Sequence, residues 1–157
     1  MSAIQRVLAI AAVSLILPTT AWAAQADPEV LLYRFPGVRD DGGIGNVGVA
    51  TVIHCTNFSG VAENLRYVVR DADTTIRSNV VVVVNHLVTH TASTHVTAAY
   101  NGEFSLNTTA VSQGTVAIAA TSINLICTAE TIDASTTAPV GVARRGIRFN
   151  PVPDAQE

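Results

Sequence analysis

Residues 64–84 read NLRYVVRDADTTIRSNVVVVV, and the reading of this stretch decides the fold. In its first third, Leu65, Tyr67 and Val69 alternate with Arg66, Val68 and Arg70. A period of two places the first set on a buried face and the second on the opposite face of a strand. Asp71-Ala72-Asp73-Thr74 then supplies turn residues, because short Asp side chains bond their own backbone and tolerate sharp reversals. Thr75 to Val84 returns as the second arm of a hairpin. It ends in five consecutive valines, Val80 to Val84. A run apolar on both faces predicts a central core strand covered on both sides. The sharper alternative is a strand that pairs with another subunit, since the run combines high β-propensity with no charge and no Pro.

The same pattern extends outward. No stretch after the N-terminal segment spaces apolar residues at helical intervals over three turns, whereas Val, Thr and Ile, which prefer extended backbone, dominate. Further strands are predicted over Val30 to Phe35, ended by Pro36-Gly37, over Val47 to Thr56, and over His86 to Tyr100, the last a polar, exposed strand with a bend. Beyond the Asn101-Gly102 turn come Glu103 to Thr108, then Thr115 to Ala120 after a break at Gln113-Gly114. Ile123 to Thr131 is read as continuing that strand, and Val140 to Phe149 is read as the last. About seven to nine short strands separated by turn signals predict an all-β, antiparallel β-sandwich of immunoglobulin-like architecture. A jelly roll or a small barrel is the alternative. Immunoglobulin hallmarks are missing: the only Trp, Trp22, precedes the sandwich, and Leu125 stands where a tyrosine corner would be. Tyr67 is the residue that could fill the core slot of the missing Trp.

The N-terminus reads as a secretory signal peptide over residues 1–23. Arg6 supplies the positive n-region, Val7 to Leu17 the apolar core, and Ala21-Trp22-Ala23 the small residues of a cut after Ala23. The apolar run is well short of the ~20 residues that span a bilayer, and no later stretch reaches that length. Residues 24–157 are then one β-sandwich domain with short flexible ends over 24–28 and 151–157, expected in the periplasm or outside the cell. Export changes the reading of the two cysteines. Cys55 shares a face with Val49, Thr51 and Ile53, and Cys127 with Ile123 and Leu125. A disulfide between Cys55 and Cys127 is expected, because an oxidising compartment pairs thiols in small domains. It closes a loop of roughly 73 residues, which the chain-entropy model values at about 4 kcal/mol. A catalytic thiol is disfavoured, since His54, adjacent on a strand, faces away from Cys55.

Composition removes several functions. The chain has a net charge of −3, 13% charged residues and no lysine. Too little positive charge is present for a nucleic-acid footprint, and no lysine is available for a P-loop or a Schiff base. No G-x-S-x-G elbow occurs, and Gly42, Gly43, Gly45 and Gly48 form no dinucleotide fingerprint. His86, His90 and His95 would spread over ~30 Å of strand, too far for one ion unless the chain bends. Asp40-Asp41 and Asp71-Ala72-Asp73 lack the remaining ligands of a calcium loop and are read as turns. Arg144 and Arg148 are placed on one face of the last strand, with Arg145 beside them. Asn57-Phe58-Ser59 and Asn107-Thr108-Thr109 match glycosylation sequons. No catalytic residue, cofactor or metal ligand is assigned. The leading reading is an exported, non-enzymatic binding or surface-assembly module whose partner is another protein, or itself through an edge strand. A small-ligand carrier with an inter-sheet cavity comes second, and a secreted hydrolase or metal-binding protein third.

Overall fold

The computed structural model describes residues 28–43 and 45–149. The expected signal peptide over 1–23 and the C-terminal end over 151–157 lie outside the described residues. Ten strands and no helix are found among the described residues: β1 Val30–Asp40, β2 Val49–Asn57, β3 Glu63–Arg70, β4 Ile76–Val84, β5 Thr89–Ser93, β6 Phe104–Ser105, β7 Val111–Ala120, β8 Leu125–Asp133, β9 Gly141–Arg144 and β10 Ile147–Arg148. One sheet has the order β10-β1-β7-β3-β4 and the other β6-β5-β2-β8-β9. All neighbours are antiparallel except β5 and β6. The all-β sandwich read from the sequence is therefore the observed class.

The alternation of β3 is reproduced: Leu65, Tyr67 and Val69 are fully buried, while Arg66, Val68 and Arg70 are not. Their inward faces join Leu32, Phe35 and Val38 of β1 and Val116 and Ile118 of β7 in one core. Ile53, Cys55, Leu125 and Cys127 of the second sheet belong to the same cluster. A Phe, Leu, Ile or Val taken out of water contributes about 1.5–3 kcal/mol. Tyr67 heads the fully buried side chains by volume, as suits the slot predicted for it. Its hydroxyl lies 3.0 Å from His90 Nδ1, and the His90 ring also packs on Phe104, with centroids 5.7 Å apart. Burial raises the Tyr67 phenol well above its ordinary range and lowers the imidazole of His90.

Several boundaries differ from the sequence reading, each for a local reason. Pro36-Gly37 does not end β1. The strand passes through with register shifts at Leu31/Tyr33, Pro36/Val38 and Val38/Asp40, and Gly37 takes up the bulge at φ 79°. Gln113-Gly114 does not break β7. Gly114 instead lets the strand approach its neighbour, since a Cβ there would meet Arg70 O at 2.5 Å. β7 and β8 are strands of different sheets, not one continuous strand. The predicted last strand divides at Arg145-Gly146: β9 pairs with β8 and β10 with β1. A side chain at 146 would strike the Phe35 ring at 2.3 Å. Arg144 and Arg148 consequently lie in different sheets.

The Cys55 and Cys127 sulfurs lie at bonding distance, 2.15 Å apart. An immunoglobulin bridge joins the two sheets. Here Cys55 and Cys127 are direct partners on β2 and β8 within one sheet, so the bridge fixes the register of that pair and not the spacing of the layers. That cross-link spans a sequence separation of 72. Its reduction is expected to lower the unfolding free energy by about 2–4 kcal/mol in urea melts, with an equal loss in a Cys55→Ala/Cys127→Ala variant.

His90 generates a pH dependence. Burial holds the folded imidazole below its ordinary range, so the unfolded chain binds the extra proton first and stability falls as pH drops through and below about 6.5. Urea melts of the protein and of His90→Gln across that window should converge as the pH falls. An NMR titration should place the His90 midpoint below 6.5.

Candidate functional site

Two regions place chemically distinctive residues where another molecule can reach them: an open sheet edge and a cleft at one end of the sandwich. The edge is β4. An edge strand leaves half its N–H and C=O groups unpaired, and proteins ordinarily keep such strands short, charged or interrupted by Pro. Three of the four terminal strands obey this: β6 and β10 have 2 residues each and β9 has 4. β4 has 9 residues. The valine run therefore does not occupy a central strand, as its composition suggested. Val80 and Val82 pack inward on the core rim, while Val81 and Val83 are 40% and 55% exposed. Its one pairing irregularity lies at the hairpin end, between Val69 and Arg70 of β3, and the register from Glu63↔Val84 to Val69↔Ser78 is unbroken.

The nearby cations are already engaged. Arg66, opposite Val81, forms an ion pair with Glu29 and donates to Asn79 Oδ1 at 2.9 Å. Arg77 donates to Asp71 Oδ2 at 2.9 Å. Asp71 also accepts from Ala72 N at 2.8 Å, and this backbone bond foremost holds its carboxyl below the usual range. Asp73 accepts from Thr75 N at 3.0 Å, which lowers its carboxyl in the same way. The Asp71–Asp73 stretch is thus the hairpin turn that the sequence indicated.

The cleft forms where β1 ends. Thr51 Oγ1 donates to Arg39 O and accepts from Arg39 N, both at 2.9 Å. Thr94 Oγ1 accepts from Thr51 N at 3.0 Å, and Thr108 N donates to Thr94 O at 3.1 Å. These buried threonines tie β1, β2 and the segment after β5 together, and they hold Asp40, only 2% exposed. Asp40 Oδ1 accepts from Gly42 N at 2.7 Å, and Oδ2 accepts from Thr108 Oγ1 at 3.1 Å. His95 Nδ1 is 2.9 Å from the same Oδ2. Asp41, Asn107 and Thr109 complete much of the wall of a cleft of about 480 Å³. Asp41 folds over Gly48, where a Cβ would meet its Oδ1 at 2.3 Å, and Gly48 has φ 87°. Asn107 and Thr109 also hold left-handed backbone, φ 48° and 59°, a conformation that costs non-glycine residues energy and concentrates at functional sites.

The three histidines singled out in sequence do not share one environment. His86 Nδ1 accepts from Gly60 N at 2.9 Å, His90 faces Tyr67, and His95 faces Asp40. The expected exposed strand over 86–100 is instead β5 followed by a buried turn, with Ser93, Thr94 and His95 all under cover. His54 points away from Cys55, as expected, and places Nδ1 2.9 Å from Thr91 Oγ1. Its ring meets Tyr100 edge-on at 4.8 Å, and the Tyr100 hydroxyl donates to Glu130. Burial, then that bond, pushes the Tyr100 phenol up to about 12. Arg144 Nε donates to Thr131 Oγ1 at 2.8 Å and Arg148 Nη2 to Ile123 O at 2.7 Å. The two sequons separate as well. Asn107 is exposed, whereas Asn57 is fully buried and spends its Nδ2 on Val61 O at 2.7 Å and Val84 O at 2.8 Å.

Sequence reasoning treated Asp40-Asp41 and His95 separately, because a separation of more than fifty positions gives no spacing signal. Only the pairing of β2 with β5, which runs to Val52↔Ser93, carries His95 to the end of β1. Compared with known proteins, the chain matches no family model, no curated protein and no solved structure.

Proposed function

We propose that this protein is an exported, non-enzymatic β-sandwich module that assembles by joining the β4 edges of two copies into one continuous sheet. The observation that carries this reading is the length and chemistry of that edge. Asn79-Val80-Val81-Val82-Val83-Val84-Asn85 is a palindrome. Antiparallel pairing about Val82 sets Val81 beside Val83 on the outer face, Val80 beside Val84 on the inner face, and Asn79 beside Asn85. A two-fold contact of this kind is self-complementary by construction. It satisfies the open backbone groups of both strands, as in β-augmentation. Each β-branched cross-strand pair adds about 0.2–1 kcal/mol. The two cations beside the edge, Arg66 and Arg77, are paired within their own chain. Export rests on the Arg6 to Ala23 signal pattern and agrees with a disulfide fold.

Size-exclusion chromatography with light scattering tests the reading. The protein is expected to pass from monomer to dimer between micromolar and millimolar concentration. Val81→Lys/Val83→Lys places four ammonium groups side by side across the two-fold axis. Both positions are exposed in the single chain, so this variant should keep its melting temperature and remain monomeric. A wild-type protein that stays monomeric throughout refutes the assembly.

A further inference from the structure

We infer that Asp40, Asp41 and His95 form a binding site for a first-row divalent metal ion of the zinc type. Each offers one ligand atom, and the three atoms lie within 4.8 Å of one another. The set is one imidazole nitrogen and two carboxylate oxygens, a mixture suited to zinc with water completing the shell.

Three observations separate this cluster from an ordinary buried Asp–His pair. The first is the state of His95. It is 8% exposed, and neither ring nitrogen has a hydrogen-bonding partner among the described residues. A buried imidazole normally satisfies both nitrogens. Its Nδ1 comes within 2.9 Å of Asp40 Oδ2, but the approach is not aligned for a hydrogen bond. Two ligand atoms of one tetrahedral ion sit ~3.3 Å apart, so this pair needs to open only slightly to share one. The second is the support of Asp40. Gly42 N and Thr108 Oγ1 orient its carboxylate, in the way that outer hydrogen bonds fix a metal ligand. The third is charge. No guanidinium reaches Asp40 or Asp41 within ion-pair distance among the described residues. Among the described residues, two carboxylates thus share one cleft with the imidazole beside them.

Asp41 is the adjustable ligand. Tetrahedral ligands at ~2.0 Å lie ~3.3 Å apart, so the widest pair in the cluster must close. Asp41 is exposed and leans over Gly48, where no side chain obstructs it. A bound ion would tie Asp40 and Asp41, at the end of β1, to His95 in the turn after β5. This inference does not depend on the edge assembly.

Isothermal titration of the tag-free, chelator-treated protein with Zn²⁺ tests it, with Co²⁺ absorbance as a spectroscopic reporter. One ion per chain is expected, with a melting temperature raised by several degrees at saturation. His95→Gln and Asp41→Asn should each weaken binding about tenfold or more, while His86→Gln, outside the cleft, leaves it unchanged. Asp41 is exposed, so Asp41→Asn should retain the circular dichroism spectrum of the parent even where His95→Gln does not. Absence of binding at micromolar Zn²⁺, or binding that survives Asp41→Asn, or binding abolished by His86→Gln, overturns the site.

Discussion

A sheet that is not closed into a barrel has to end, and each end exposes a row of backbone donors and acceptors. The rest of this molecule is arranged around how its two sheets meet that constraint. Three ends are terminated by strands of two to four residues, two of them formed as the chain crosses between sheets at Gly146. On the remaining stretch of β1, Pro36 removes a donor and the register shifts at Pro36/Val38 and Val38/Asp40 interrupt the ladder. Among the described residues, only β4 ends a sheet with a long and regular strand. With no lysine in the chain, the usual way of charging such an edge is missing, and the two arginines nearby are tied to Glu29 and Asp71.

The interior explains why β4 is held straight enough to matter. Its partner β3 is anchored by Leu65, Tyr67 and Val69, all fully buried. Glu63, at the start of β3, is also buried and accepts from Thr121. Asn57 ties the end of β2 to Val84 O, fixing the far end of the valine run against the second sheet. In that second sheet, the Cys55–Cys127 bond fastens β2 to β8, strands adjacent in space but distant in sequence. One sheet is thus secured covalently, and the other through the apolar face of β3. At the opposite extremity of β1, the threonine network around Thr51 does comparable work with polar contacts, and it leaves His95 and two carboxylates facing one cleft.

The sequence was most legible where side-chain period and local chemistry coincide. The alternation over Leu65 to Arg70, the Asp71–Thr74 turn and the outward direction of His54 could all be read from short windows. The pairing of Cys55 with Cys127 could be read from compartment, but its placement within one sheet could not. Strand neighbours are set by long-range packing, and β2 meets β8 only because both turn apolar faces to the same core. The valine run misled for a related reason. Five identical residues carry no period, so composition could not tell a covered strand from an edge. Pro36 and Gly114 likewise act as bulge and close-approach residues, a role that the partner strand decides. The Asp40–Asp41–His95 cluster was illegible because its members come from the end of one sheet and the turn leaving the other.

Assembly through β4 requires that its outer edge be open in the single chain and covered in the dimer. Hydrogen–deuterium exchange over residues 76–84, read at low and at high protein concentration, tests it directly. The outward-facing amides of this segment should exchange rapidly in dilute solution and become protected as concentration rises, while the amides bonded to β3 stay protected throughout. Exchange over this segment that is independent of concentration would contradict the account.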